Sequence, residues 1–237
     1  MCSSPSKRFD AGLPPLLRTP KVPIVCYVTD RKSLDDLRSG TQALARIQLA
    51  IEAGADWVQV REKDLPGREL TDLVRGAVAA AREQAISRVI VNDRLDVALA
   101  TGAAGVHLGR ESLSVREAAP WCRRGNAPAD FLVGVSCHSV EEAREAESAD
   151  ASYIFFGPIF DTPSKRRLGA PQGVGRLAEI CQSVRIPVIA IGGVDENNAL
   201  ECVRAGAAGI AAIRMFQEAR DARELKEAVR RIRQLTP

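Results

Sequence analysis

"ATGAAGVHLG", residues 100–109, decides the fold. A helical pattern closes on Gly102, and a short apolar run starts at Gly105. Glycine just past the last helical turn caps the helix, and Ala and Gly let its end pack close to the next strand. The same phrase returns as "EAGADWV" (52–58) and "RAGAAGI" (204–210). One supersecondary unit is being repeated: a helix, a glycine, then a buried strand.

Counting outward gives eight strand candidates: 24–30, 57–63, 88–93, 105–109, 131–137, 153–160, 187–193 and 209–213. The segments between them, such as "ALARIQLAIEAGA" (43–55) and "ELTDLVRGAVAAAREQA" (69–85), space apolar residues at three and four. Strand then helix, eight times, predicts an α/β fold, a single-domain (β/α)8 TIM barrel. An open doubly wound sheet seldom reaches eight units and carries a glycine-rich turn after its first strand; here "VTDRKS" (28–33) stands there. Residues 1–22, with prolines and charges in place of an apolar leader, are expected to form a flexible tail, and residues 23–237 the barrel domain.

The bulk composition agrees. The 237 residues are 46% hydrophobic but only 4% aromatic, which suits helices on a parallel sheet better than an all-β sandwich. A net charge of +3, with scattered Lys and Arg, argues against a nucleic-acid partner. No apolar run approaches the roughly 20 residues of a membrane span. The six cysteines show no zinc spacing and are expected to be reduced thiols in a cytoplasmic protein. A homo-oligomer is compatible with this composition.

Barrel chemistry sits at the C-terminal strand ends. Strand 2 brings Gln59, Arg61 and Lys63 there at alternate positions, hence on one face. Two adjacent cations repel unless an anion joins them, although pairing with Glu62 and Asp64 is the plainer alternative. Asn92 and Asp93 follow on strand 3, an amide for phosphate and a carboxylate suited to Mg²⁺, or else a simple helix cap. Strand 5 adds Ser136 and His138, the latter able to work as an acid or base. His107, inside strand 4, reads as structural. The loop at 157–175 offers Thr162, Ser164, Lys165, Arg166 and Arg167, hydroxyls and cations fitted to phosphate oxygens. Gly193 after strand 7, with Ile213 and Arg214 after strand 8, occupies the common phosphate seat of such barrels. Two phosphate seats imply two phosphorylated substrates, and the chemistry suggested is displacement of diphosphate at carbon.

"QVREK" (59–63), "VNDRLDVALATGAAGVHLG" (91–109), "VGVSCHS" (133–139), "GPIFDTPSK" (157–165) and "IPVIAIGGV" (186–194) together resemble the thiamine phosphate synthase family, in the right order over residues 24–218. The resemblance implies joining of a hydroxymethylpyrimidine diphosphate to a thiazole phosphate, or its carboxylate, with release of diphosphate by a dissociative route. It implies that Gln59, Arg61, Lys63, Asn92, Ser136 and Lys165 contact the pyrimidine diphosphate. Thr162, Ser164, Gly193, Ile213 and Arg214 would hold the thiazole phosphate. Arg61, Lys63 and Lys165 would stabilise the departing charge together with Mg²⁺ on Asp93.

"HLGRES" (107–112) departs from the family's His-x-Gly-Gln-x-Asp, placing Arg110 for the glutamine and Ser112 for the second magnesium carboxylate. A hydroxyl is a poor exchange on a hard cation, so the Mg²⁺ site of Asp93 and Ser112 is expected to be weakened. Arg214 likewise replaces a serine. These departures point toward the sister thiazole tautomerases, which need no Mg²⁺ and use a histidine acid/base where His138 stands. A non-catalytic regulatory barrel that binds thiamine intermediates, or another phosphate-binding barrel enzyme, would also tolerate them. The nearly complete diphosphate set favours the synthase.

Overall fold

In a computed structural model of the chain, covering residues 22–33, 40–84, 87–162 and 170–236, eight parallel strands close on themselves in sequence order. They are β1 (Ile24–Val28), β2 (Trp57–Val60), β3 (Arg88–Asn92) and β4 (Gly105–Leu108), then β5 (Leu132–Cys137), β6 (Tyr153–Phe156), β7 (Val188–Ile191) and β8 (Gly209–Ala212). The pairing of β1 with β8, Cys26 opposite Ala211, seals the barrel. The expected (β/α)8 barrel is the fold observed.

The helices between the strands are α1 (Gly40–Glu52), α2 (Gly67–Gln84), α3 (Leu95–Thr101), α4 (Val115–Trp121) and α5 (Val140–Ser148). After β6 come α6 (Gly173–Ser183), α7 (Ala199–Arg204), a single turn α8 (Arg214–Gln217) and α9 (Ala222–Arg233). Among the described residues no helix is long and apolar enough to cross a membrane. At the end of α3, Gly102 takes φ 67° and its N–H turns back to the carbonyls of Ala98 and Leu99. That left-handed cap, which favours glycine, turns the chain into β4.

Two layers of core result. Between sheet and helices lies a large aliphatic shell containing Ile47, Val74, Val91, Leu108, Ile180 and Ile210. Inside the barrel a second cluster holds Trp57, Ile90, Leu132, Tyr153, Phe155 and Ile189. Strands covered on both faces read as continuous apolar runs, which is why they showed little alternation in the sequence. Burial of each such large side chain stabilises by about 1.5–3 kcal/mol. The Tyr153 ring lies over Gly134, where a Cβ would come within 2.1 Å of its Cζ.

The strands are shorter than their sequence patterns. β2 ends at Val60, and the Arg61 N–H donates to the Thr29 side chain at 2.9 Å rather than extending the ladder. Arg61 and Lys63 therefore stand on the loop above the strand, not on the strand itself. β6 ends at Phe156, just before Gly157 and Pro158. The five described cysteines are free thiols, and burial pushes those of Cys137 and Cys202 up to about 12.

Candidate active site

The C-terminal end of the barrel carries a chain of polar side chains running from β2 to β4. Gln59, buried, donates its amide to Asn92 Oδ1 at 3.0 Å. Asn92 in turn donates to Asp93 Oδ2 at 2.6 Å. Asp93 adopts φ 62°, a left-handed conformation uncommon outside glycine. Its Oδ1 receives the Gly109 N–H at 3.1 Å and the Ser112 hydroxyl. Asp93 therefore does not cap α3: the N-cap residue is Arg94, and no side chain closes that end. Its carboxylate instead latches the 109–112 turn to the end of β3.

Arg61 and Lys63 rise beside this chain. Glu62 faces the other way, buried, and accepts the Arg31 N–H at 3.2 Å on both oxygens. Burial raises the Glu62 carboxyl above its usual range, against the opposing pull of its hydrogen bonds and of Arg31. Asp64 is taken by Arg31 and by Lys32, the latter at 3.2 Å. Both carboxylates that could have neutralised Arg61 and Lys63 are thus committed elsewhere. Lys63 Nζ stands 3.9 Å from Asp93 Oδ2, and Arg61 has no ion pair among the described residues. The plainer alternative of a self-neutralised surface pair is not what forms.

On β4, paired in register with Asn92, His107 is buried, and burial depresses its imidazole to about 3, so it is neutral. Its Nε2 lies 2.9 Å from Ser136 Oγ and its Nδ1 3.2 Å from the Tyr153 hydroxyl. His138 is exposed on the rim. Its Nδ1 is 2.9 Å from the Gly157 carbonyl. A carbonyl only accepts, so Nδ1 carries a proton, and in the neutral ring the lone pair is on Nε2. The His138 N–H donates to Glu142 at 2.7 Å, and Glu142 pairs with Arg110 at 3.7 Å. Ser139 caps α5 by accepting the Glu142 N–H at 3.1 Å.

Beyond β6 the chain forms a second seat. A cavity of about 620 Å³ is lined by Thr162, Gly192, Gly193, Ile213, Arg214 and Asp30, among others. Gly193 takes φ 71°, and a Cβ there would meet the Asp161 carbonyl at 2.8 Å. The loop after β6 and the one after β7 therefore touch through bare backbone. The structure so gathers Thr162, Gly193, Ile213 and Arg214 at one place, and Gln59, Asn92, Asp93 and Ser112 at another. Ser164 and Lys165 lie outside the described residues. Sequence reasoning missed Gly109, whose N–H anchors Asp93, and Tyr153, whose partner His107 lies two strands away, beyond β5. For Tyr153 the signal was present, since it shares the inward face of β6 with Phe155.

The donor set for a divalent cation is narrow. No three His, Cys, Asp or Glu side chains converge among the described residues. Mg²⁺ keeps several waters and is commonly held by one or two carboxylates plus substrate phosphates. Asp93 fits that pattern as one carboxylate, with the neutral Ser112 hydroxyl beside it; the residues do not make a closed protein cage.

A closed parallel barrel with its polar and cationic groups collected at the C-terminal strand ends defines a (β/α)8-barrel enzyme. The thiamine monophosphate synthase family model matches residues 25–216. A thiamine-phosphate synthase of Roseiflexus is 40% identical over 185 residues, covering 78% of this chain and 74% of that protein. One from Chlorobium phaeobacteroides is 39% identical over 189 residues, covering 80% of this chain and 85% of that protein. The solved thiamine phosphate pyrophosphorylase from Pyrococcus furiosus superposes with a TM-score of 0.75 at 33% identity, covering 90% of this chain and 96% of that one. The chain belongs to the thiamine monophosphate synthase family.

Proposed function

We propose that this chain is a thiamine-phosphate synthase, joining hydroxymethylpyrimidine diphosphate to the thiazole phosphate, or its carboxylate, with release of diphosphate. The observation that carries this reading is the cationic pair Arg61 and Lys63 beside the Gln59–Asn92–Asp93 chain: Arg61 has no ion pair among the described residues and Lys63 has only its 3.9 Å contact with Asp93, while Glu62 and Asp64 serve Arg31 and Lys32. Such a site binds a multiply charged anion and stabilises further charge as it develops.

In this reading the bond from the pyrimidine's methylene carbon to the diphosphate oxygen breaks, and its electron pair leaves with diphosphate. The thiazole nitrogen supplies the pair of the new bond. Gln59, Asn92 and Ser136 orient the pyrimidine diphosphate, and Arg61, Lys63 and Lys165 offset the growing negative charge. Thr162, Ser164, Gly193, Ile213 and Arg214 hold the thiazole phosphate in the second seat. Mg²⁺, when bound with the diphosphate, would be held by Asp93 beside Ser112 and would neutralise part of the leaving group's charge. The partners are thus two small phosphorylated molecules, and the setting is the cytoplasm.

A second reading, thiazole tautomerase, rests on His138. Its ring is oriented by the Gly157 carbonyl through Nδ1, and in its neutral form Nε2 is the basic nitrogen on the exposed rim. The test is diphosphate release by the full chain with each substrate alone and with both, with and without Mg²⁺. Release that requires both substrates supports the synthase. Isomerisation of the thiazole phosphate carboxylate without release supports the tautomerase, and binding without turnover would reduce the barrel to a non-catalytic regulatory binder of thiamine intermediates.

A further inference from the structure

The buried Tyr153–His107–Ser136 contact has a direction. Tyr153 is fully buried, and its hydroxyl has one hydrogen-bond partner among the described residues, His107 Nδ1 at 3.2 Å. If Nδ1 carried the proton, the phenolic O–H would be a buried donor with no acceptor, an arrangement native interiors avoid. The O–H therefore donates to a bare Nδ1. With Nδ1 bare, the ring's single proton sits on Nε2, which faces Ser136 Oγ at 2.9 Å. Ser136 then receives that proton on a lone pair. Its own O–H is left to point away from the barrel interior.

We infer that Tyr153 and His107 are positioning residues that set the hydrogen-bond polarity of Ser136, presenting its hydroxyl at the mouth as a donor to an acceptor atom of the bound ligand. With the opposite tautomer Ser136 would donate inward to His107 and meet the ligand only as an acceptor, a poor partner for phosphate oxygens. Register supports the role. His107 pairs with Gly134 across β4 and β5, and Gly134 in turn lies opposite Tyr153. The missing side chain at Gly134 leaves room for the Tyr153 ring to reach across to the imidazole. The inference rests on the proposed function only for the identity of the ligand.

The test uses the full chain with ¹⁵N-labelled histidine. The sequence holds two histidines, His107 and His138, so a His138→Gln variant assigns both rings. His107 is expected to show a protonated Nε2 and a bare Nδ1, unchanged across neutral pH. Tyr153→Phe removes one oxygen and keeps the ring, and is expected to unlock that tautomer. KM for the pyrimidine diphosphate then rises about threefold to tenfold, with kcat within about twofold. Ser136→Ala gives a similar rise, and the double variant is no worse than Ser136→Ala alone, because both changes remove one contact. A proton on Nδ1 of wild-type His107 overturns the inference whether or not Tyr153→Phe folds. So does full additivity of the two variants. Should the chain release no diphosphate, the proposed function fails while the tautomer measurement stands. The ligand arm is then read from inorganic diphosphate binding by calorimetry, where an unchanged affinity in both variants counts against the inference.

Discussion

Asp93 holds a left-handed backbone, φ 62°, and four donors at once: the Asn92 amide, the Gly109 N–H, the Ser112 hydroxyl and, at longer range, Lys63. Three substitutions separate those roles. Asn keeps the shape and tolerates the left-handed region, but turns an N–H₂ toward groups that themselves donate. One mismatched contact costs about 1 kcal/mol here, below the usual worth of a charge-assisted bond because the side chain is 32% exposed and solvent screens it. Ala and Gly both lose every side-chain contact and differ only in backbone. A left-handed Ala costs about 1–2 kcal/mol, and the extra unfolded-state freedom of Gly takes back about 0.5–1 kcal/mol. Asp93→Ala is therefore expected to be less stable than Asp93→Gly by about 1 kcal/mol, or about 2–4 °C in Tm for a domain of this size. Paired urea and thermal melts measure it. An Ala variant as stable as the Gly variant would refute the reasoning, because the turn would then be relaxing without its carboxylate. In the folded Asn variant, diphosphate release should fall by about tenfold or more, because a neutral amide would hold Mg²⁺ less well than the carboxylate it replaces.

Other expectations follow from the same geometry. Ser112→Asp should tighten Mg²⁺ binding by about tenfold or more, because a second carboxylate then faces a hard cation beside Asp93; unchanged affinity and Mg²⁺ dependence in calorimetry and kinetics would sink the idea of a weakened but working site. Gly157→Ala places a Cβ 1.9 Å from the Ile191 carbonyl oxygen, so it should cost about 3 kcal/mol or more in chemical denaturation, and wild-type stability would mean that the β6 and β7 ends are less closely joined. His107 has its imidazole depressed from 6.5 to about 3 by burial. The unfolded chain then binds the extra proton first, so His107 contributes stability above pH 6.5 that drains away as pH falls toward 3, at up to about 1.4 kcal/mol per unit. His107→Gln should flatten that acid-side slope, and an identical slope in urea melts between pH 6 and 4 would count against a neutral buried ring.

How much was legible in the chain depended on the range of the interaction. The eight units could be counted because each cap is local: Gly102 turns α3 into β4 through bonds to Ala98 and Leu99, a few residues back. The opposite orientation of Glu62 followed from alternation along β2, and the buried carboxylate does face Arg31. Strand ends were less legible, because apolar runs do not say where pairing stops. Arg61 continued the pattern of β2, yet its N–H goes to Thr29. Asp93 reads in the sequence as a carboxylate for Mg²⁺ or else a helix cap, and nothing local shows that Gly109 and Ser112 are brought to it. The Tyr153–His107 contact, 46 residues apart, exists only once the barrel has closed and fixed the register.

The synthase reading stands or falls on what is made, more than on what is released. The full chain, Mg²⁺ and both substrates should yield one condensed product per diphosphate, with the mass of the pyrimidine methylene unit added to the thiazole phosphate and the two formed at equal rates. Diphosphate appearing without that adduct, or thiazole phosphate carboxylate isomerising while the pyrimidine diphosphate stays intact, would contradict it.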